Sequence, residues 1–233
     1  IVQRIDYSND TATSSPKGPL SAATRYQSGF SSQANSLGVA EVSLWKDMTG
    51  KGHNATVEGA TYQGGNSGVF NFDGTNDYIS VASSSDFTFG TGDFTFEFWA
   101  NPDDFGSRGT FYDSRPSGGT TGITIGHESS SGEIRVYMNA SSGSDIAVQS
   151  SDFATGQWQH IAVTRSSGTV RLYINGISKD SETRTSDLNN TNAVNIGYKT
   201  YTSSSYDYFD GKIALFRVYK ARGFTASEVL NNF

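Results

Sequence analysis

The stretch Phe94-Thr95-Phe96-Glu97-Phe98-Trp99 decides the fold, because its three phenylalanines alternate with other side chains. Successive residues of a strand point to opposite faces of a sheet, so a period of two places the phenylalanines together on one face. An amphipathic helix would instead need apolar residues three or four positions apart. The stretch therefore predicts a β-strand that buries one face in a hydrophobic core and leaves the other half-covered.

Further strands are predicted along the rest of the chain by short or alternating apolar runs. These runs lie at residues 69–72, 78–81, 123–125, 134–138, 158–165, 170–174, 194–196 and 213–218. In the last run we expect an uninterrupted alternation, with Ile213 and Leu215 on one face and Phe216 and Val218 on the other.

Turn residues separate these runs. Asn175-Gly176 is the strongest short hairpin signal, and Ser167-Gly168 predicts a second tight turn. Asp73–Asp77 is predicted to close a hairpin between the strands on either side of it. Many short strands joined by glycine-rich turns indicate an all-β protein, built as a two-sheet antiparallel β-sandwich of the jelly-roll type.

The two ends of the chain differ from the middle. Residues 1–36 are rich in Ser, Thr and Asn and contain Pro16 and Pro19, so they are predicted to form an extended N-terminal arm; a disordered terminus is the alternative. Residues 37–233 are assigned to the sandwich domain. Near the other end, Thr225 followed three residues later by Glu228 predicts a capping box and one short helix over residues 225–230.

Composition excludes several classes of function. The 233 residues include no cysteine, so disulfides, zinc-thiolate sites and cysteine nucleophiles are absent. The net charge of −6 argues against a nucleic-acid partner and against an anionic membrane surface. Apolar runs long enough to cross a bilayer are missing from the sequence, which predicts no membrane insertion.

A set of short phrases occurs along the domain in a characteristic order. They are Leu44-Trp45-Lys46-Asp47-Met48-Thr49-Gly50, Phe72-Asp73-Gly74-Thr75-Asn76-Asp77-Tyr78, the Phe94–Trp99 stretch, Trp158-Gln159-His160-Ile161-Ala162-Val163-Thr164, Leu172-Tyr173-Ile174-Asn175-Gly176, Phe209-Asp210-Gly211-Lys212-Ile213-Ala214 and Arg217-Val218-Tyr219. Together they resemble the laminin-G-like, concanavalin A-like jelly-roll family over roughly residues 40–233. The resemblance implies the same jelly-roll fold.

The detailed form of these phrases is similar to domains in structural and appendage proteins of marine tailed phages. Residues 4–13 and Gly18-Pro19-Leu20 also resemble a segment of large repeat-bearing proteins of such phages. This resemblance implies a location on a virion or another extracellular surface. It also implies other virion or surface proteins as partners, and a homo-oligomer.

Catalysis is not predicted, although the jelly roll also hosts glycoside hydrolases. Retaining glycosidases need two carboxylates about 5 Å apart, which on one strand requires acidic residues at alternate positions. Glu97 stands between Thr95 and Trp99, and a Ser/Gly turn separates Glu128 from Glu133. Serine-nucleophile and phosphate-loop motifs are also missing. The sequence therefore predicts a non-catalytic protein, with hydrolysis as a remote alternative.

The three histidines do not form a recognisable metal or catalytic motif. His53, His127 and His160 are far apart in sequence and include no His-x₃-His pair. For His160, close to Trp158 in a predicted strand, we expect a buried structural role.

The family resemblance implies a possible calcium site, because members often bind one Ca²⁺ through loop oxygens. Asp73, Asp77, Asp47 and Asp210 are the candidate ligands. Many relatives have an aspartate where this chain has Ala214, and this difference argues against the same calcium site in this chain. The alternative is that these aspartates only stabilise turns. We therefore predict no required cofactor and keep calcium as an open expectation.

Aromatic residues crowd one glycine- and serine-rich loop segment, namely Tyr198, Tyr201, Tyr206, Tyr208 and Phe209. Exposed aromatic rings in a loop favour a contact with a ligand or partner, and sugars stack on such rings. Lys199 and Asp207 would add polar contacts. The alternative is that the tyrosines cap the edge of the sandwich and expose only their hydroxyls.

A second candidate contact region is the loop Asp103–Pro116. It contains Arg108 and Tyr112, and arginine beside aromatic residues is typical of interfaces. An ordinary solvated loop is the alternative.

These observations leave two principal hypotheses. The first is a non-catalytic structural or interaction module of a virion or cell surface, in a fibre, tail or capsid decoration, anchored by its N-terminal arm. The second is a glycan-binding adhesin domain that recognises a host surface polysaccharide, with Tyr201, Tyr206 and Tyr208 stacking on the sugar.

Overall fold

The computed structural model of the protein describes residues 44–63, 68–115, 121–139, 146–202 and 205–233. Within these ranges, the side chains of residues 200–206 are not described. The predicted arm, residues 1–36, lies outside the described residues, and so does Pro116 at the end of the second candidate loop.

The described residues form short strands and one helix. In chain order the strands are β1 (Leu44–Trp45), β2 (Ala55–Glu58), β3 (Thr61–Gln63), β4 (Val69–Asp73), β5 (Tyr78–Val81), β6 (Phe94–Pro102), β7 (Gly109–Asp113), β8 (Ile123–His127), β9 (Ile134–Met138), β10 (Ile146–Ser150), β11 (Gln159–Ser166), β12 (Thr169–Ile174), β13 (Ile177–Thr183), β14 (Val194–Ile196), β15 (Thr200–Thr202), β16 (Ser205–Tyr206) and β17 (Asp210–Lys220). The helix α1 spans Ala226–Asn232, and a 3₁₀ turn spans Ser85–Phe87.

Two antiparallel sheets build a sandwich. An eight-stranded sheet has the order β1-β2-β5-β14-β7-β8-β9-β10, and a seven-stranded sheet has the order β13-β12-β11-β6-β17-β4-β3. The small pair β15–β16 is separate from both. The prediction of an all-β, two-sheet antiparallel sandwich with one short C-terminal helix is confirmed.

The three phenylalanines of β6 form the centre of the core. Phe94, Phe96 and Phe98 are fully buried, as the alternation predicts. Phe96 lies 4.6 Å from Tyr112 and Phe98 lies 5.1 Å from Phe111, measured between ring centroids. Because β6 and β7 belong to different sheets, these ring contacts join the two layers.

The opposite face of β6 is buried as well, which corrects the expectation of a half-covered strand. Glu97 is 1% exposed; its carboxylate accepts hydrogen bonds from Arg217 Nη1 at 3.0 Å, Tyr219 Oη at 3.1 Å and Asn232 Nδ2 at 3.0 Å. His160 is also buried, with Nε2 3.8 Å from a Glu97 oxygen, in agreement with a structural role. The C-terminal segment therefore covers this face with a polar network.

The helix that supplies Asn232 begins as predicted. The hydroxyl of Thr225 accepts a hydrogen bond from the backbone N–H of Glu228, and the Glu228 carboxylate accepts one from the backbone N–H of Thr225. This reciprocal pair satisfies two of the donors that a helix N-terminus leaves free. The helix continues two residues beyond the predicted end. Across the described residues, no helix is both long and apolar enough to span a bilayer.

A β-bulge in β17 makes the predicted alternation wrong. Ala214 pairs with Trp99 but Arg217 pairs with Glu97, so β17 has one more residue than β6 over this stretch. Leu215 has a φ of +51° and is 47% exposed, whereas Phe216 and Val218 pack against the core. Beyond the extra residue, the even-numbered positions of the strand face the core instead of the odd-numbered ones. As a result Arg217 faces Glu97.

The turn predictions had mixed outcomes. Asn175-Gly176 joins β12 to β13, with φ values of +52° and +74° that match the left-handed turn expected of this pair. Ser167-Gly168 joins β11 to β12. The hairpin expected at Asp73–Asp77 is wrong, because β4 lies in the seven-stranded sheet and β5 in the eight-stranded one. This loop crosses between the layers.

We expect Phe96→Ala to lower the free energy of unfolding by about 3–5 kcal/mol, because it removes a fully buried ring from the centre of the core. Urea denaturation measures this. Met48→Ala is the control, since Met48 is 88% exposed and its loss should change stability by less than about 0.5 kcal/mol. Equal effects of the two substitutions would contradict the packing described for β6.

Candidate functional site

A row of polar side chains crosses the outer face of the eight-stranded sheet. Ser80, Asn195, Asp113, Thr124 and Tyr137 lie directly opposite one another on β5, β14, β7, β8 and β9. Along each strand they alternate with residues that point into the core. The period of two therefore places this whole polar row on the face that looks away from the other sheet.

A recess lies beside this row, where two strands carry glycine. Gly126 in β8 pairs with Thr110 and with Arg135, and backbone atoms of Gly109 and Thr110 lie against it where a side chain would otherwise project. A Cβ atom at Gly126 would lie 2.6 Å from the carbonyl oxygen of Gly109, so only glycine fits there. The recess beside these glycines is small and open to solvent, with enclosed room for about one water-sized group.

Charged side chains form the walls of the recess, with Glu128 at their centre. Arg108 donates from Nε to Oε2 of Glu128 at 2.8 Å, and Arg135 Nη1 lies 3.1 Å from Oε1. The Tyr137 hydroxyl donates to Oε1 at 3.0 Å. Arg135 also bonds Glu133 at 2.8 Å. One carboxylate thus holds two arginines and a tyrosine in place.

The hydroxyl of Tyr137 is the hydrogen-bond donor to Glu128. Burial and the adjacent Glu128 charge raise the pKa of Tyr137. The phenol therefore stays protonated at neutral pH.

Lys199 and Asp207 line another side of the recess. Lys199 lies just before β15 and Asp207 just after β16, and the Lys199 ammonium is 3.5 Å from an Asp207 oxygen. The same ammonium lies 5.9 Å from the centre of the Tyr137 ring. Lys199 is only 6% exposed, and this burial lowers its pKa. The tyrosine-rich segment therefore begins and ends at the recess.

Asp113 lies at the edge of the same charge cluster. Its carboxylate accepts a hydrogen bond from the Thr124 hydroxyl and lies 3.4 Å from Arg115 Nε. Burial raises the pKa of Asp113 to about 6 in spite of these partners. The group consequently titrates near neutral pH.

Two of the predicted tyrosines form a stack next to this segment. Tyr198 and Tyr208 stack at 4.8 Å with an interplanar angle of 28°, and Tyr78 contacts Tyr198 at 5.2 Å. All three are half-buried. Their rings therefore cap the sheet and still reach solvent in part. The side chains of Tyr201 and Tyr206 lie outside the described residues.

The structure separates the two residues predicted in the second loop. Arg108 is 51% exposed and lines the recess. The expectation that Tyr112 contacts a ligand or partner is corrected by its position. Tyr112 is fully buried, with its ring 4.6 Å from the Phe96 ring and 6.2 Å from the Phe216 ring. A bulge in β7 turns both Phe111 and Tyr112 into the core, which puts Tyr112 out of reach of a ligand.

The predicted calcium ligands are only partly brought together. Asp73 and Asp210 are directly opposite on β4 and β17, and Asp77 accepts a hydrogen bond from the Asp73 backbone N–H at 3.0 Å. Burial, followed by nearby carboxylates, raises the pKa of both Asp77 and Asp210. Asp47 instead accepts bonds from Thr49 and His53 in the turn after β1.

A calcium site is therefore not evident from these side chains. In the ranges that the structure covers, no group of three or more His, Cys, Asp or Glu residues is arranged to hold a metal. The calcium ligands stay a prediction.

Sequence reasoning misses most of the recess. It weighs Glu128 only as a possible catalytic partner of Glu133, and it does not single out Arg135, Tyr137 or Gly126. Arg135 and Tyr137 alternate with the apolar residues of the 134–138 run, so their outward orientation is readable from the sequence. Their convergence on Glu128 is not readable, because it depends on the pairing of β8 with β9.

Comparison with known families agrees with this architecture. A family model described as the concanavalin A-like lectin/glucanases superfamily (Laminin_G_3) matches residues 73–230. The chain belongs to this family. A search among curated proteins gave no match for this laminin-G-like chain.

Solved structures share the fold at low identity. Domain 4 of AbnA, a GH43 extracellular arabinanase from Geobacillus stearothermophilus solved with arabinotriose, is 20% identical, with a TM-score of 0.60 and coverage of 82% of this chain and 92% of that one. The binding domain of Paraclostridial Mosquitocidal Protein 1 is 20% identical, with a TM-score of 0.62 and coverage of 83% and 50%.

Botulinum neurotoxin type C, whose cell entry depends on interaction with two ganglioside molecules, is 15% identical, with a TM-score of 0.63 and coverage of 80% and 47%. The laminin-G-like chain spans about half the length of the neurotoxin and mosquitocidal domains that it matches. At these identities the likeness establishes the fold alone.

We expect the stability of the protein to depend on Asp113 between pH 4 and pH 6.5. The pKa of Asp113 is about 6 in the folded state against an ordinary value of 3.8, so the folded state holds the proton more tightly over this range. The contribution of this group is fully present below the unfolded pKa and is lost as the pH rises through the folded pKa, by up to about 3 kcal/mol.

Urea unfolding of wild type and Asp113→Asn at several pH values tests this dependence. The stability of wild type relative to the variant should fall as the pH rises from 4 to 6.5, because the amide of the variant cannot titrate. A difference that stays constant over that range would contradict the raised pKa.

Proposed function

We propose that this laminin-G-like domain is a non-catalytic carbohydrate-binding domain, and that its binding face is the outer face of the eight-stranded sheet at the recess. One observation carries the proposal: Arg108, Glu128, Arg135 and Tyr137 are already locked together around an open recess. Side chains held in place before binding lose little conformational entropy when a ligand arrives.

The residues of this face have the chemistry that sugars need. A pyranose or furanose ring presents apolar C–H faces and a rim of hydroxyls. The Tyr198–Tyr208 stack offers partly exposed aromatic surface, and the recess offers charged donors and acceptors. Pockets that bind small ligands combine these two kinds of surface.

Two structural neighbours support a saccharide as the ligand class. The arabinanase domain is matched over 92% of its own length and was solved with arabinotriose. Botulinum neurotoxin type C interacts with ganglioside molecules.

The state of the carboxylates favours binding over hydrolysis. Among the described residues, the recess is lined by two carboxylates, Glu128 and Asp207, and each is in an ion pair with a cationic side chain. A glycosidase needs one carboxylic acid free to donate a proton and a second carboxylate facing the sugar. Glu97 is buried beneath the C-terminal segment.

A carbohydrate-binding role fits a protein that acts outside the cell or on the surface of a particle, where glycans are displayed, and we propose that location. The alternative hypothesis, a virion structural module anchored by its arm, depends on residues 1–36. Those residues lie outside the described ranges, so the module, the virion location and the homo-oligomer stay predictions.

A glycan array probed with wild type, Tyr137→Ala and Tyr62→Ala tests the binding face. We expect wild type to bind one class of oligosaccharide, and Tyr137→Ala to lose roughly tenfold or more in affinity, because the substitution removes the aromatic wall and releases Glu128. Tyr62→Ala is the matched control, since Tyr62 is also half-buried but packs on Phe70 in the seven-stranded sheet.

Melting temperatures of the three proteins show whether each variant is folded. If folded Tyr137→Ala binds as tightly as wild type, the recess is not the site.

A further inference from the structure

Arg108 is the recess residue with the most unused hydrogen-bonding capacity. Its Nε donates to Glu128 at 2.8 Å, and its side chain is 51% exposed. Within the part of the chain that the structure describes, its two terminal nitrogens have no hydrogen-bond partner. Arg135, in contrast, bonds both Glu128 and Glu133.

The lining of the recess is more positive than the protein as a whole. The protein as a whole carries a net charge of −6, yet the recess is lined by three cationic side chains, Arg108, Arg135 and Lys199, and two carboxylates, Glu128 and Asp207. Glu128 already accepts bonds from both arginines and from Tyr137. The wall around Glu128 therefore offers mainly donors to an incoming group.

The shape of the recess limits what can enter. Among its lining residues, which include Gly109 and Gly126, the recess encloses room for about one water-sized group. A sugar ring is too large for that space, whereas a single oxygen of a ring substituent fits. A carboxylate is small and planar, and its two oxygens match the two terminal N–H groups of a guanidinium.

We propose that the recess recognises the carboxylate of an acidic saccharide, such as a uronic acid residue, through the free end of the Arg108 guanidinium. This inference rests on the carbohydrate-binding function proposed above and specifies its ligand class. Glu128 acts as a positioning residue: its bond to Nε holds the guanidinium plane and leaves the terminal nitrogens for the ligand. The sugar ring remains outside the narrow part of the recess.

Titration calorimetry with three probes tests the ligand class. The probes are an oligogalacturonate, the same oligosaccharide after reduction of its carboxyl groups to hydroxymethyl groups, and a sulfated oligosaccharide of similar length. We expect the protein to bind the oligogalacturonate at least roughly tenfold more tightly than either other probe, because the reduced probe has no charge to pair with the guanidinium and a tetrahedral sulfate is bulkier than a planar carboxylate. The affinity should fall as salt is added.

Variants of Arg108 test the residue. Arg108→Ala should weaken oligogalacturonate binding roughly tenfold or more, and Arg108→Lys should lie between it and wild type, because lysine keeps the charge but loses the planar fork. Arg222→Ala is the matched control: Arg222 is 60% exposed and also bonds a single glutamate, Glu228, at 3.0 Å, but it lies by the C-terminal helix. The control should bind as wild type does.

The outcomes distinguish the acidic-saccharide proposal from the broader proposal of carbohydrate binding. Equal binding of the oligogalacturonate and its reduced form, or unchanged binding by Arg108→Ala, would overturn the acidic-saccharide proposal while carbohydrate binding stands. Preference for the sulfated probe would also overturn it. If no saccharide binds in calorimetry or on the array, both proposals fall together.

Discussion

The packing of β6 against β7 is the contact on which the sandwich depends. Phe96 and Phe98 reach across the core to Tyr112 and Phe111, so the central strands of the two sheets meet ring to ring. Because β7 directs these rings inward, the next residue, Asp113, points outward and contributes to the polar outer face of the eight-stranded sheet. The core and the candidate site are thus two sides of one strand.

The recess lies where the outer face has glycines in place of side chains, and charged side chains surround it. Gly109 and Gly126 line it with backbone, because neither position has room for a side chain. Glu128 then organises the rim by accepting bonds from Arg108, Arg135 and Tyr137. Because the Glu128 carboxylate already accepts bonds from three donors, it positions these side chains and is not free to donate a proton to a sugar. An acidic residue in this position therefore favours recognition over hydrolysis.

The outer face of the seven-stranded sheet has a different role. There the C-terminal segment supplies Arg217, Tyr219 and Asn232 to the buried carboxylate of Glu97. Leaving a buried charge without partners is costly, so this network ties the end of the chain to the sheet. The bulge at Leu215 makes this possible, since it rotates Arg217 toward Glu97.

Local patterns in the sequence determined the all-β class, the buried phenylalanines of β6, the turn at Asn175-Gly176 and the capping box at Thr225, because each depends on residues close together in the chain. Tertiary structure alone decided the crossover after Asp73, the phase change at Leu215 and the burial of Tyr112. It also brought Arg108 to the ends of the tyrosine-rich segment. A bulge inserts one residue without a distinctive sequence signal, and strand order is set by packing between distant segments. Neither bulges nor strand order can be predicted from the periodicity of apolar residues.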